Sequence, residues 1–282
     1  MRVVCAGHCN WDVRFRVDRL PTTDGEGRIT DRTESGGGSA ANVSVALAQL
    51  GCSAHFLGAV GDDDRGSAAI ERLRDVGVET HVQLVETAST TTKYILVDRD
   101  GQVALLGTDG ANELFSARDL PEETLSSATA IHLTGQNPET AAALAREATD
   151  EDVTVSFDPG RRVADRDYSD ALESSDILFV TDREADAVGI DVPVTVTKHG
   201  ADGATVRTPD ETVSHPGYDI GAATDTTGAG DAFAAGFLSV WLDTPDPERA
   251  LSIANACGAL AASAVGPDAN LSSERIAMLR NE

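Results

Sequence analysis

The amino-acid sequence predicts an α/β fold with a mostly parallel central sheet. The main observation is that strand-like and helix-like segments alternate along the second half of the chain. The predicted strands are 130–133, 153–157, 177–180 and 192–197, and the predicted helices between them are 139–148 and 183–188. Such alternation is typical of parallel sheets that are covered by helices on both faces and bind ligands at the carboxyl ends of their strands.

Two pairs of strands interrupt this pattern. Alternating residues predict short strands within 13–33, around a glycine-rich turn at 24–27, and a hairpin over 92–106 that turns at 98–101. The first strand of the chain, 3–6, turns at Gly7 toward Asn10 and Asp12. A further hairpin is predicted over 204–215.

A run of glycines before a helix marks a place where a ligand can approach the backbone. Residues 36–42 read Gly-Gly-Gly-Ser-Ala-Ala-Asn, and the apolar residues that follow have helical spacing up to Gly51. Asn42 lies in the first turn, where its amide can donate and accept hydrogen bonds to a polyol, or can cap the helix locally.

The composition narrows the classes of function. The chain has 282 residues, 47 acidic and 22 basic, for a formal net charge of −25. Only two lysines are present, so binding of nucleic acid through a basic face is not expected. The four cysteines show no C-x-x-C pair, and no apolar run is long enough to span a membrane. We therefore expect a cytoplasmic enzyme, adapted to high salt because salt screens self-repulsion.

Residues 225–236 carry the strongest indication of chemistry. Gly228, Ala229 and Gly230 leave backbone N–H groups open to an anion at the start of an apolar helix. Asp231 would then lie beside that anion, which suits a base that accepts a proton from an attacking hydroxyl group. The helix dipole is expected to keep Asp231 ionised and weakly basic. A glycine-rich turn with an ordinary capping Asp is the alternative interpretation.

The sequence Asp-Thr-Thr-Gly-Ala-Gly-Asp-Ala-Phe over 225–233, followed by Ala-Ala-Gly, resembles the C-terminal signature of the ribokinase-like carbohydrate kinases, the PfkB family. Gly-Gly-x-x-x-Asn over 37–42 resembles the N-terminal signature of the same family. The resemblance implies one domain over 1–282, a ribokinase-like three-layer sandwich, with the strands near 13–33 and 91–107 forming a small β-sheet lid. In several members this lid is also a homodimer interface.

The resemblance also implies roles for individual residues. Asp231 is the expected base and Gly228, Ala229 and Gly230 the anion hole, while the acceptor is expected at Asp12, Gly38 and Asn42. The residues expected near the nucleotide are Thr197, Lys198, Gly200 and Gly203, with Asn255 near the adenine. Glu184 is expected to hold Mg²⁺ through water, and Asp225 is the expected ligand of a monovalent cation such as K⁺. Thr181 stands where the family has Asn before that Glu, and Gly160 replaces Asn in the family's Asp-Pro-Asn-x-Arg, where Asp158 and Arg162 match.

The implied function is ATP-dependent transfer of a phosphoryl group to a hydroxyl of a sugar, a sugar acid or a nucleoside. Gly-Lys occurs nowhere in the chain, so a lysine-dependent P-loop is excluded. A dinucleotide-dependent oxidoreductase and a non-catalytic binding protein are the rival interpretations. Ribose, fructose, a keto-deoxy sugar acid and a nucleoside remain open as acceptors, and basic residues of the lid could recognise an anionic group on them: Arg14, Arg16, Arg28, Arg32 and Lys93.

Overall fold

The computed structural model describes residues 1–221, 226–264 and 269–280. In chain order the strands are β1 Arg2–Ala6, β2 Asn10–Val17, β3 Ile29–Gly37, β4 Ser53–Gly61, β5 Glu79–Val85, β6 Thr92–Val97, β7 Val103–Gly107, β8 Ala130–Thr134, β9 Thr154–Asp158, β10 Ile177–Thr181, β11 Val194–Lys198, β12 Ala204–Arg207 and β13 Thr212–His215. The helices are α1 Ser39–Gln49, α2 Asp64–Asp75, α3 Glu122–Ser126, α4 Pro138–Asp150, α5 Ser169–Glu173, α6 Asp182–Ala185, α7 Ala229–Trp241, α8 Pro247–Ser263 and α9 Ser273–Arg280.

The central sheet confirms the predicted fold class. Its nine strands have the order β13-β12-β11-β10-β9-β8-β1-β4-β5. All neighbouring pairs from β11 to β5 are parallel, and the pairs β11–β12 and β12–β13 are antiparallel. One apolar cluster packs α1, α7 and α8 against one face, and a second packs α4 and α5 against the other. The result is a three-layer sandwich in which the carboxyl ends of seven parallel strands share one edge.

The predicted lid is a separate four-stranded sheet with the order β3-β2-β6-β7. Its strands begin earlier and end later than the predicted 13–33, because β2 starts at Asn10 and β3 continues to Gly37. The last glycines of β3 still pair with β2, since Gly36 lies opposite Trp11 and Gly37 opposite Asn10. The lid strands therefore run directly into the region where the acceptor is expected.

Two parallel strands, β4 and β5, have no counterpart among the predicted ones. β4 is buried over eight of its nine residues, and a continuous buried run cannot be assigned to strand or helix by periodicity alone. The predicted helix 183–188 is shorter, ending as α6 at Ala185, and α7 begins at Ala229, two residues before Asp231.

Packing fixes the start of α7 above the carboxyl edge of the sheet. Phe237 of α7 packs edge-on against Phe179 of β10, with ring centroids 5.4 Å apart. Gly236 lets α8 approach closely, because a Cβ at this position would lie 2.9 Å from Cys257 Sγ and 3.0 Å from Ala254 Cα. Among the described residues, no helix has both the length and the apolar character needed to span a membrane.

Candidate active site

The candidate active site lies where several parallel strands end. β9 ends at Asp158, β11 ends at Lys198, and α7 begins beside them with Ala229, Gly230 and Asp231. α1 follows the end of the lid strand β3 and carries Asn42 in its first turn. Because parallel strands present their carboxyl ends at one edge, residues that are far apart in sequence meet here.

Asp231 is held by a side chain from the N-terminal half of the chain. Asn42 Nδ2 donates to Asp231 Oδ2 at 2.8 Å. Burial and the nearby carboxylate of Asp158 raise the pKa of Asp231 to about 6, although the Asn42 hydrogen bond and the charges of Lys198 and Lys93 lower it. The expectation that Asp231 is a weak base is therefore wrong: removal from water outweighs the helix dipole. A carboxylate with this pKa is ionised at neutral pH and is a better proton acceptor than an exposed one.

The ammonium group of Lys198 is at the centre of the site. Lys198 Nζ donates to Asp158 Oδ2 at 2.6 Å, and both side chains are largely buried. Burial lowers the pKa of Lys198, but the charges of Asp158, Glu184 and Asp231 outweigh it and raise the pKa above the ordinary value. Lys198 is therefore a permanent positive charge among three carboxylates. The expectation placed this lysine in a nucleotide-binding turn, and the structure puts it next to the expected base.

The loop before α7 has the geometry of an anion site. Gly228 is the N-cap residue and has a left-handed φ of 75°, which favours glycine. A Cβ built on Gly230 would lie 3.6 Å from Lys198 Nζ, so the lysine and the first amides of α7 face the same small space. The amide of Ala229, which was expected to be open, donates to Thr226 O at 3.2 Å. The positive end of the helix dipole and an ammonium group together favour a phosphoryl group at this point.

Of the expected acceptor residues, Asn42 contacts Asp231 directly, and Asp12 and Gly38 lie where the lid meets the start of α1. Asp12 of β2 is 7 % exposed, and its carboxylate leaves no room for a side chain at Gly37. Gly38 caps α1 with φ 102°, where a Cβ would overlap the carbonyl of His8. Arg72 Nη2 donates to Asn42 Oδ1 at 3.5 Å, so the Asn42 amide is oriented from both sides.

A second group of polar residues borders this region, and the sequence analysis does not identify it. Glu113 accepts hydrogen bonds from Arg162 and Arg166 and lies 3.2 Å from His8 Nε2. Burial opposes ionisation of Glu113, but these partners lower its pKa to about 2. Arg162 therefore pairs with this carboxylate.

Several buried polar atoms near the same end of the sheet have no hydrogen-bond partner within the described part of the chain. They include both polar side-chain atoms of Gln136, which follows β8, and Asn10 Nδ2 at the start of β2. Orphaned polar atoms of this kind are satisfied by water or a ligand. The detectable sequence signal is a polar residue that follows the end of a buried strand within a few positions.

The expected nucleotide residues lie in and after β11. Thr197 belongs to the strand, and Gly200 and Gly203 both have positive φ, 66° and 91°. His199 N donates to Gly203 O at 2.8 Å, which closes the turn. Asn255 of α8 is buried, and its Nδ2 donates to Leu251 O at 2.8 Å.

The structure describes only one of the two expected cation ligands, Glu184. Glu184 is buried and accepts a hydrogen bond from Thr181 N at 2.8 Å, as part of a capping box at the start of α6. Thr181, which stands where the family has Asn, therefore acts as the helix cap. Asp225 lies outside the described residues.

The lid contacts the loop before α7 directly. Arg14 Nη2 of β2 donates to Thr227 Oγ1 at 3.0 Å. Thr227 immediately precedes Gly228, so the lid sheet is connected to the anion site by a side chain.

Comparison with known proteins identifies the family. Residues 1–274 match the pfkB family of carbohydrate kinases. The chain belongs to this family. It is 50 % identical over 293 aligned positions to the ATP-dependent ribose-1-phosphate kinase of Halopiger xanaduensis, covering 100 % of this chain and 99 % of that protein. It is 26 % identical to a nucleoside kinase of Methanocaldococcus jannaschii, covering 96 % and 93 % of the two chains.

Solved structures confirm the ribokinase-like fold. The crystal structure of the Methanocaldococcus jannaschii nucleoside kinase superposes with a TM-score of 0.86 at 23 % identity, covering 99 % of this chain and 98 % of that one. The Arabidopsis thaliana ribokinase in complex with ribose and ATP gives 0.84 at 22 % identity, covering 100 % and 98 %. This PfkB protein is thus a carbohydrate kinase that transfers a phosphoryl group to a sugar hydroxyl, and the oxidoreductase and non-catalytic interpretations are wrong.

Proposed function

We propose that this carbohydrate kinase uses ATP to phosphorylate a hydroxyl group of ribose 1-phosphate. The observation that carries the proposal is the 50 % identity, over the whole chain, to a protein with this named activity. The primary hydroxyl at C5 is the least hindered acceptor, so the expected product is ribose 1,5-bisphosphate.

The geometry supplies a route for the transfer. Asp231 accepts the proton of the acceptor hydroxyl, and Asn42 fixes the direction in which the carboxylate points. The backbone amides at Gly228 and Gly230, together with Lys198, stabilise the charge on the transferring phosphoryl group. The amide of Ala229 would join them by giving up its 3.2 Å hydrogen bond to Thr226 O. Asp158 holds Lys198 in place through the 2.6 Å ion pair. ATP is proposed to bind along the turn that includes Thr197, Gly200 and Gly203, with its adenine toward Asn255.

The charges of the site fit a magnesium ion. Asp158, Glu184 and Asp231 all act on the single ammonium of Lys198, which leaves an excess of negative charge. Carboxylate oxygens and water are the ligands that Mg²⁺ prefers. We propose that Glu184 holds Mg²⁺ through water, where the ion would neutralise charge on the nucleotide phosphates. Asp225 remains the proposed ligand of a monovalent cation, K⁺ in a potassium-rich cytoplasm.

Lys93 of the lid is the best candidate for recognising the phosphate of the acceptor. Its charge lowers the pKa of both Asp231 and His8, so its ammonium group acts on both sides of the acceptor region. It stands opposite Asp12 in the register of β2 and β6. Arg32, by contrast, pairs with Glu34 on the lid itself.

We further propose that the protein is one catalytic domain whose lid forms a homodimer interface in the cytoplasm. The lid leaves large apolar side chains exposed, each by more than half: Ile29, Val103, Leu105 and Leu106. Val103 and Leu105 are two residues apart on β7 and share one face of the strand. Exposed apolar patches are typical of interaction surfaces. Light scattering of the wild type and of Leu105→Asp tests the interface, and a monomeric wild type would refute it.

The acceptor is tested by ADP release in about 2–3 M KCl, where charge repulsion is screened. The panel contains ribose 1-phosphate, ribose 5-phosphate, ribose, fructose, keto-deoxy sugar acids and nucleosides. We expect turnover with ribose 1-phosphate and none with ribose 5-phosphate, whose C5 hydroxyl is blocked. Phosphorus NMR of the product is expected to show a second phosphoester with the anomeric phosphate retained.

Two further results decide the assignment. Lys93→Met is expected to raise KM for ribose 1-phosphate at least about tenfold while changing KM for a neutral sugar little, because it removes one charge contact. Preferred turnover of a nucleoside or a neutral sugar would overturn the ribose 1-phosphate proposal without affecting the kinase assignment.

A further inference from the structure

Two histidines and a glutamate meet at the edge of the central sheet, away from the kinase site. His55 is the third residue of β4, and Glu79 and His81 are the first and third residues of β5. β4 and β5 are parallel, with His55 opposite Glu79 and Leu57 opposite His81. Residues two apart in a strand point to the same face, so the three side chains share one face near the amino ends of these strands. The kinase site uses the opposite, carboxyl ends.

The donor atoms of this cluster are close together. His55 Nδ1 and His81 Nε2 are 3.3 Å apart. Glu79 Oε2 is 3.7 Å from the first nitrogen and Glu79 Oε1 is 3.8 Å from the second, so the carboxylate faces both rings. The side chain of His55 is 4 % exposed and that of Glu79 is 64 % exposed. The cluster is thus built on a buried histidine and opens to solvent on the side of the glutamate.

We propose that His55, Glu79 and His81 bind one divalent transition-metal ion of the zinc, cobalt or nickel class. Two imidazole nitrogens and one carboxylate oxygen are a ligand set for these ions, whereas Mg²⁺ and Ca²⁺ prefer oxygen alone. Bonds of about 2.0–2.1 Å at a tetrahedral angle place two ligand nitrogens about 3.3–3.4 Å apart. The separation of the two histidine nitrogens already has this value.

Metal binding requires only local adjustments. The two ring planes lie within 6° of each other, with the two nitrogens directed at one another. In the metal-free pair one N–H lies between them, so that ring adopts its other tautomer when both nitrogens bind the ion. Small rotations of the rings aim both lone pairs toward Glu79, and the exposed carboxylate moves inward. Water completes a tetrahedral coordination.

The consequence of binding is a cross-link between β4 and the edge strand β5. Among the described strands, β5 is the last one of the central sheet and pairs only with β4. An ion held by both strands binds the folded protein and not the unfolded chain, so it stabilises the fold in proportion to its concentration relative to Kd. The site is therefore structural, and the proposal does not depend on the identity of the sugar substrate.

The test is a titration of chelator-treated enzyme with Co²⁺ in about 2–3 M KCl, without nucleotide and against protein-free buffer. We expect one equivalent to bind with the intense visible absorption of four-coordinate cobalt. His81→Gln is expected to weaken binding by at least about 100-fold, since even the loss of an outer-shell partner costs about 10–100-fold. His215→Gln, which removes a histidine of β13, is the matched control and is expected to bind like the wild type.

A second measurement uses Zn²⁺ and thermal unfolding. Zn²⁺ is expected to raise the transition temperature of the wild type and of His215→Gln, and to leave that of His81→Gln unchanged. The side chain of His81 lies on the edge strand and is 11 % exposed, against 4 % for His55. Its substitution therefore disturbs the core less than a change at His55. Equal Co²⁺ affinity of the wild type and His81→Gln, or the absence of a four-coordinate spectrum in the wild type, overturns the proposal.

Discussion

At the scale of single residues, Asp231 is expected to be needed for turnover, although the ionisation of its buried carboxyl group weakens the fold. Asp231→Asn keeps the size of the side chain and removes the proton acceptor. We expect turnover to fall by about 10²–10⁴-fold, the range attributed to a general base, with nucleotide affinity within a few-fold of the wild type. Single-turnover kinetics and nucleotide titration measure the two effects. Normal turnover in this variant would refute the role of Asp231 as the base.

The pKa of Asp231, about 6, also predicts the pH dependence. The base acts when deprotonated, so kcat/KM is expected to fall about tenfold per pH unit below pH 6. The stability effect has the opposite sign: the folded-state pKa lies above the ordinary value, so ionisation of this group weakens the fold as the pH rises from about 4 to 6. Asp231→Asn removes this penalty and is expected to unfold no more easily than the wild type at pH 7.

The ion pair of Lys198 and Asp158 predicts opposite shifts of this pH profile. The charge of Asp158 raises the pKa of Asp231 and that of Lys198 lowers it. Asp158→Asn is therefore expected to move the acid limb of kcat/KM to lower pH, and Lys198→Met to higher pH, while both variants lose activity. If the pair has only a structural role, both variants keep the wild-type midpoint of the acid limb. The pH profiles of their residual activity therefore decide between an electrostatic and a structural role.

At the scale of elements, a substitution at the start of α7 is expected to lower activity without lowering stability. Gly230 is the second residue of α7, and a Cβ there would lie at an ordinary contact distance of 3.6 Å from Lys198 Nζ. Gly230→Ala is expected to leave the free energy of unfolding unchanged or to raise it by about 0.5–1 kcal/mol, as alanine does in a helix. The added methyl group narrows the anion site, so we expect kcat to fall at least about tenfold, toward the loss seen when one oxyanion donor is removed.

Gly203→Ala is the control for that substitution. Gly203 has φ 91°, and a Cβ there would overlap the carbonyl of His215. This variant is expected to lower the transition temperature clearly, because both the backbone and the space require glycine. Thermal unfolding and steady-state kinetics of the two variants are compared side by side. Equal destabilisation by both alanines would contradict the assignment of Gly230 to the anion site.

The elements also show how far the sequence predicts the structure. The lid strands and β8 to β13 follow from alternation and turn residues, because those signals are local. β4 is missed since its buried run has no period, and β3 is predicted too short since its last two residues are glycines. The raised pKa of Asp231 and the polar group around Glu113 are not predicted. Both features depend on side chains that come together from distant parts of the chain, and no local sequence pattern records that proximity.

At the scale of the whole molecule, the dominant property of the chain is its excess of acidic residues, 47 against 22 basic ones. Its net charge is −25, whereas the core consists of ordinary apolar residues. Three carboxylates of the candidate site act on Lys198. The proposed reaction takes its positive charge from Lys198 and the α7 amides, so it assigns the excess of acidic residues no role in catalysis. The 50 % identical relative comes from Halopiger xanaduensis, and a salt-adapted enzyme is consistent with that finding.

Salt dependence is therefore the prediction for the molecule as a whole. At about 0.1 M salt the screening length is about 10 Å and surface carboxylates repel one another, whereas at 1 M it is about 3 Å. We expect the transition temperature to rise with KCl, steeply below about 1 M, and kcat to follow the folded fraction. Sucrose is the control, because it stabilises by exclusion and not by screening, so it is expected to raise the transition temperature by similar increments in low and high KCl. Equal transition temperatures in about 0.1 M and 3 M KCl would refute salt adaptation and show that the fold tolerates its own charge.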